Sequence, residues 1–280
     1  MSNTNQPVRP EIALSVVTGG FTTNYHDVGQ GDTVVLLHGS GPGVSAWANW
    51  NKAFPLLGDQ FHLLAPDMAG FGFTERVPGA EYNMDNWVRQ VVDFFDALGI
   101  EKAHLVGNSF GGALALAMAV KHPQRVDKLV LMGAMGVSFP ITYGLDRVWG
   151  YEPTLANMSE LLDIFTYDHS FATPELIRSR YEGSIQPGFH ESFSSMFPEP
   201  RQKCVDRMAA NEPYLRDIQN ETLIVHGLQD RVIPVANSYR LLELIPNAQL
   251  HIFGKCGHWT QIERTAEFCD LLRDFFLAKR

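Results

Sequence analysis

Short runs of consecutive apolar residues alternate along this chain with longer stretches whose apolar positions recur every three to four residues. Thr33 to Leu37, Phe61 to Ala65, Ala103 to Val106, Leu129 to Met132, Thr222 to His226 and Gln249 to Phe253 read as strands. A strand covered on both faces needs such a run, because successive side chains point to opposite sides of the sheet. Leu14 to Val17 and Asn24 to Val28 read as an opening hairpin. From Asn86 to Leu98, Val88, Val91, Val92, Phe95 and Leu98 recur at helical spacing, with Asp85 as the expected cap and Gly99 as the expected stop. Gly112 to Val120 is rich in Ala and Leu and reads as a helix ended by Pro123. Strands and helices in alternation predict an α/β chain whose mostly parallel sheet is flanked by helices on both faces.

The pattern breaks over residues 136–207. No buried strand is legible there, aromatic residues are frequent, and Pro140, Pro153, Pro174, Pro187, Pro198 and Pro200 punctuate the stretch. It reads as a helical lid inserted between two strands of a core formed by residues 1–135 and 208–280, able to close an apolar pocket over the sheet edge. The competing reading is a set of surface helices that only complete the core.

The turn between the Ala103 strand and the following helix carries Gly107-Asn108-Ser109-Phe110-Gly111. A serine between glycines at a sharp strand-to-helix bend has its hydroxyl exposed above the sheet edge, and Ser109 is therefore the candidate nucleophile. A serine hydroxyl near neutral pH needs a base beside it, and the base needs an anchor that fixes its tautomer. The chain order serine, acid, histidine selects Asp230, in the loop after the Thr222 strand, and His258, in the loop after the Gln249 strand. Asp67 is the rival acid but precedes the serine. Of the other histidines, His104, His226 and His251 read as structural, His122 as a helix C-terminal residue, His38 as a brace for its own loop, and His169 and His190 as lid residues able to touch a ligand. Charge developing on a carbonyl oxygen needs fixed donors, and the backbone N–H groups of Phe110 and Ser40 are the candidate oxyanion hole. Gly41-Pro42-Gly43-Val44-Ser45-Ala46 also matches a dinucleotide fingerprint, a reading in which Pro42 stiffens the turn and the serine elbow has no purpose.

Composition narrows the classes. A length of 280 residues with 45% hydrophobic content supports one large core with at most a subsidiary lobe. A formal charge of -9 without a Lys/Arg cluster argues against a nucleic-acid partner. No apolar run reaches membrane-spanning length, and the N-terminus lacks a basic segment followed by an apolar one. Cys204, Cys256 and Cys269 are an odd count without C-x-x-C spacing, which fits unpaired thiols in a reducing cytoplasm rather than disulfides or a zinc site. The expectation is a cytoplasmic protein with no membrane partner, no metal and no cofactor.

His38 to Gly43 with Trp47 and Asn49, then Gly107 to Gly112, Arg180-Tyr181-Glu182 and Gly257-His258-Trp259 together resemble the meta-cleavage product hydrolases, carbon–carbon bond hydrolases of the α/β-hydrolase fold. The resemblance runs through nearly the whole chain. Val148 to Tyr151, Gln186 to Phe189, Ser194 to Pro198 and His258 to Glu263 are similar to the branch that handles monocyclic substrates. It implies a 2-hydroxy-6-oxohexa-2,4-dienoate substrate, a homo-oligomer, and binding of the dienoate end by Gly41, Asn49, Asn108 and Arg180, with Trp259 as a pocket wall. A guanidinium suits that role because its planar fork binds a carboxylate in bidentate fashion, although residues alone also allow Arg180 an i to i+4 pair or a salt bridge inside the lid. The implied chemistry is ketonisation by protonation at C5, followed by attack at C6 and a reverse Claisen cleavage. An esterase or lactonase with the same three residues, and a ligand-binding receptor, stay open at this point. Phe139, Ile141, Trp149 and Phe171 are expected to shape the C6 end of the pocket.

Overall fold

The computed structural model describes residues 9–278. Eight strands, β1 (Leu14–Thr18), β2 (Phe21–Val28), β3 (Asp32–Leu37), β4 (Phe61–Pro66), β5 (Ala103–Asn108), β6 (Val126–Met132), β7 (Thr222–Gly227) and β8 (Ala248–Phe253), form one sheet in the order β1-β2-β4-β3-β5-β6-β7-β8. The β1–β2 hairpin and its junction to β4 are antiparallel, and every other pairing is parallel.

The apolar runs sort by pleat. Val35, Leu37, Leu105, Leu131 and Ile224 face one apolar layer with the helices Met84–Ala97 and Phe110–Lys121. Val34, Leu36, Val106, Val130 and Val225 face the other, against Trp50, Phe54, Phe268 and Phe276. Both faces of the central strands are covered, so their near-continuous hydrophobicity follows from position in the sheet. The helix at 84–97 begins earlier than its sequence suggests: Asn83, not Asp85, caps it, its side chain accepting from the Asn86 amide at 3.0 Å. Asp85 lies in the first turn and pairs with Lys121.

Chain direction decides where chemistry can collect. Because β3, β5, β6, β7 and β8 run parallel, the loops that leave Leu37, Asn108, Met132, Gly227 and Phe253 all emerge at one sheet edge. β4 continues from β3 to one side while β5 lies on the other, so the loops after β3 and β5 diverge and leave a crevice between them. Between β6 and β7 the described chain is helical throughout its regular structure, from Tyr143–Trp149 to Glu212–Arg216, and supplies cavity-lining side chains over that crevice.

Candidate active site

Ser109 sits at the end of β5 as the N-cap of helix Phe110–Lys121, with φ 55° and ψ -112°. A non-glycine residue there is strained by about 1–3 kcal/mol and persists only where surroundings fix it. They do: the Ser109 amide donates to the Met132 carbonyl at 2.9 Å, and the Ser109 carbonyl accepts from the amides of Gly112 and Met135. The flanking glycines are required by contact, since a Cβ on Gly107 would lie 2.2 Å from the Gly111 carbonyl oxygen and one on Gly111 would lie 2.3 Å from that of Leu37.

His258 follows β8. Its Nδ1 is 2.7 Å from Asp230 Oδ2, and the other carboxylate oxygen accepts from the amides of Val232 (2.7 Å) and Ile233 (2.9 Å). His226 Nε2 lies 3.3 Å from the same Oδ2 while donating to the Ile233 carbonyl at 3.0 Å, so a second imidazole supports the acid from behind. Burial by itself would raise the Asp230 carboxyl, but attraction to His258 and hydrogen bonds from His226 and His258 outweigh it and hold the group well below the usual carboxylate range. Asp230 is thus a fixed anion that keeps Nδ1 protonated and Nε2 available as a base. Asp67, the rival acid, is spent on structure: it accepts from the amides of Ala46 and Phe73 and from Asn24 Nδ2, and burial pushes it up to about 6.

The loop after β3 completes one side. His38 braces it, Nδ1 donating to the Gly39 carbonyl and Nε2 accepting from the Met68 amide at 2.9 Å. The amides of Ser40 and Phe110 donate to no protein acceptor among the described residues, whereas the Ser40 hydroxyl accepts from Trp149 Nε1 at 3.1 Å. Gly39, Ser40, Gly41, Asn49, Asn108, Ser109, Arg180, His258 and Trp259 all line one cavity, about 40 Å³ in volume, walled on its apolar side by Leu145, Val148, Met158, Leu162, Phe165 and Val232. Asp230 stands behind His258 rather than on the wall, and Phe110 is fully buried and contributes only its backbone.

Arg180 bonds the Ala48 carbonyl at 2.7 Å and lies over the Trp259 ring at 5.3 Å, and no carboxylate lies within ion-pair distance of it among the described residues. Both pairings that the residues allowed for it, within its helix or inside the lid, are therefore absent. Burial lowers its pKa to about 10, which leaves it a cation at neutral pH. Asn49 Oδ1 accepts from the Gly39 amide at 3.4 Å, while its Nδ2 is buried without a partner.

Other expectations fail. His169 pairs with Asp163 and His190 lies 3.7 Å from Glu152, and neither reaches the cavity. Phe139, Ile141 and Phe171 do not line it, and Trp149 stands one residue behind Ser40. Phe165 is one of several wall residues the sequence did not single out. It stacks on Trp259 at 4.6 Å, and its carbonyl accepts from the amides of His258 (2.8 Å) and Trp259 (3.2 Å). Glu263, which does not line the cavity, binds the amides of Gly257, Tyr167 and Asp168 and so ties the His258 loop to the inserted segment.

Residues 32–265 match the alpha/beta hydrolase fold family. The chain is 54% identical to 2-hydroxymuconate semialdehyde hydrolase of Pseudomonas sp. (strain CF600), over 95% of this chain and 94% of that protein. It is also 54% identical to 2-hydroxy-6-oxo-2,4-heptadienoate hydrolase of Pseudomonas putida (strain F1), over 97% and 99%. This chain belongs to the meta-cleavage product hydrolases. A member of that family from Pseudomonas fluorescens IP01, solved as a serine-to-alanine mutant complexed with acetates, superposes with a TM-score of 0.94 at 56% identity, over 95% of this chain and 98% of that one. No helix among the described residues is long and apolar enough to cross a membrane.

Proposed function

We propose that this enzyme hydrolyses the C5–C6 bond of 2-hydroxy-6-oxohexa-2,4-dienoate-type ring-fission products, releasing 2-hydroxypenta-2,4-dienoate and formate or a short carboxylic acid. The observation that carries the reading is a guanidinium, Arg180, with no carboxylate partner among the described residues, in the same cavity as Ser109 and His258. A simple esterase has no need of a permanent cation beside its nucleophile, whereas a substrate with a terminal carboxylate does. In this reading Arg180, Asn49, Asn108 and Gly41 hold the dienoate end against Trp259. Polarisation of that end and proton relay by His258 give the keto form, in which a carbonyl can receive the electrons of the breaking bond. Ser109, with Asp230 behind His258, attacks C6 or activates the water that does, and the amides of Ser40 and Phe110 receive the oxyanion.

The C6 substituent is hydrogen or methyl. Bulky side chains fill the apolar wall, and the relatives named for a semialdehyde and a heptadienoate are 54% identical, whereas one from Burkholderia cepacia named for a 6-phenyl substrate is 35% identical. The lid reading of residues 136–207 is supported by the side chains this stretch contributes to the cavity roof. Three unpaired buried cysteines fit a cytoplasmic setting. A homo-oligomer rests on the family resemblance and is checked by light scattering. The test of function is loss of the dienoate absorbance compared with hydrolysis of neutral esters. Preference for the dienoate by at least two orders of magnitude in kcat/KM is expected, and equal or better ester hydrolysis contradicts the proposal.

A further inference from the structure

Gln261 lies three residues past His258, at 1% exposure, and lines the cavity that holds Ser109. Its Nε2 and its Oε1 are both buried without a protein partner among the described residues. A primary amide stripped of water on both its donor and its acceptor side is costly unless a ligand supplies both partners. No polar group of that wall does so from the protein side: Asn49 Nδ2 is likewise without a partner, and Arg180 bonds the Ala48 carbonyl. Of the cavity's fully buried side-chain atoms without a partner among the described residues, Asn49 Nδ2 and Gln261 Nε2 are donors and the carbonyl oxygen of Gln261 is the one acceptor.

A carboxylate meets the donors and leaves that acceptor empty, since an ionised carboxylate has no proton to give. A hydroxyl adjacent to the carboxylate meets both halves of the amide: its O–H donates to Oε1 and its oxygen accepts from Nε2. We propose that Gln261 is a substrate-binding residue that reads the C2 enol hydroxyl, so that the enzyme selects 2-hydroxydienoates over dienoates that carry the carboxylate alone. The assignment rests on the function proposed above. It adds a specificity element that Arg180 cannot provide, because the cation attracts either ligand equally.

The test uses full-length Ser109→Ala protein, titrated with the 2-hydroxy-6-oxohexa-2,4-dienoate and with its 2-deoxy counterpart. With Gln261 intact, the hydroxylated ligand should bind at least roughly tenfold more tightly. Adding Gln261→Leu or Gln261→Met should bring the two affinities within about twofold of each other, while adding Arg180→Gln should weaken both and leave their ratio in place. A ratio near one with Gln261 intact overturns the assignment without any Gln261 variant, and an unchanged ratio in either folded Gln261 variant overturns it equally. A native enzyme that does not turn over the dienoate at all removes the proposed function; turnover with a ratio near one removes only the role of Gln261.

Discussion

Ser109 is held in a backbone conformation its side chain disfavours, and the groups that hold it are the same ones that place its neighbours. Gly133, φ 49°, shows how little slack there is: a Cβ on it would lie 3.2 Å from His258 Nδ1 and 3.3 Å from Asp230 Oδ2. Gly133→Ala should therefore lower kcat by roughly tenfold or more through displacement of the imidazole, with KM less affected, and steady-state kinetics check this. Arg180→Gln should cut kcat/KM on carboxylated substrates at least a hundredfold and barely change turnover of neutral esters. Equal losses on both would refute a carboxylate clamp. At this scale the sequence was legible where a residue type is tied to a local motif, as for Ser109 and His258. It was silent on Phe165 and Gln261, whose roles arise from what the fold brings against them: Phe165 acts through a carbonyl that any residue possesses, and Gln261 through its lack of partners.

Strands were readable because a two-sided buried strand has few alternatives to a run such as Val34 to Leu37. The helices between β6 and β7 were not, for they are mostly 5 to 11 residues long and pack apolar side chains both inward and against one another, which blurs a 3.6-residue period. The cap of the 84–97 helix was misplaced for a related reason: Asn83 and Asp85 are both good caps, and the sequence does not say which amide is left to satisfy. One contact between elements matters for function. Glu263 binds three amides that join the His258 loop to the chain after helix Leu155–Phe165. Glu263→Ala should lower the melting temperature by roughly 3–8 °C and kcat about tenfold, measured by calorimetry and kinetics on the same preparation.

The whole molecule places its chemistry where parallel strands end and their order reverses, and it buries polar groups beside that edge. His38 is an example: burial lowers its pKa from 6.5 to about 4, although its bond to the Gly39 carbonyl opposes the shift. The folded state thus refuses a proton that the unfolded chain accepts. The contribution of His38 to stability is complete above pH 6.5 and is lost as pH falls toward 4, a loss of about 3 kcal/mol over that window. Asp67, pushed up to about 6, acts with the opposite sign over the same window, so the His38 contribution is read as a difference: in denaturant titrations His38→Asn should lose less stability than the native protein between pH 6.5 and 4.

Ser109 carrying out carbon–carbon hydrolysis inside this cavity is the central claim. The most direct measurement mixes 2-hydroxymuconate semialdehyde in one turnover with the native enzyme and with Ser109→Ala, while dienoate absorbance and formate are followed together. Native enzyme should release formate and 2-hydroxypenta-2,4-dienoate in equal amounts, and Ser109→Ala should bind the dienoate yet release neither, its rate lower by at least about a thousandfold. Formate release by the Ser109→Ala protein at a rate near that of the native enzyme would contradict the account.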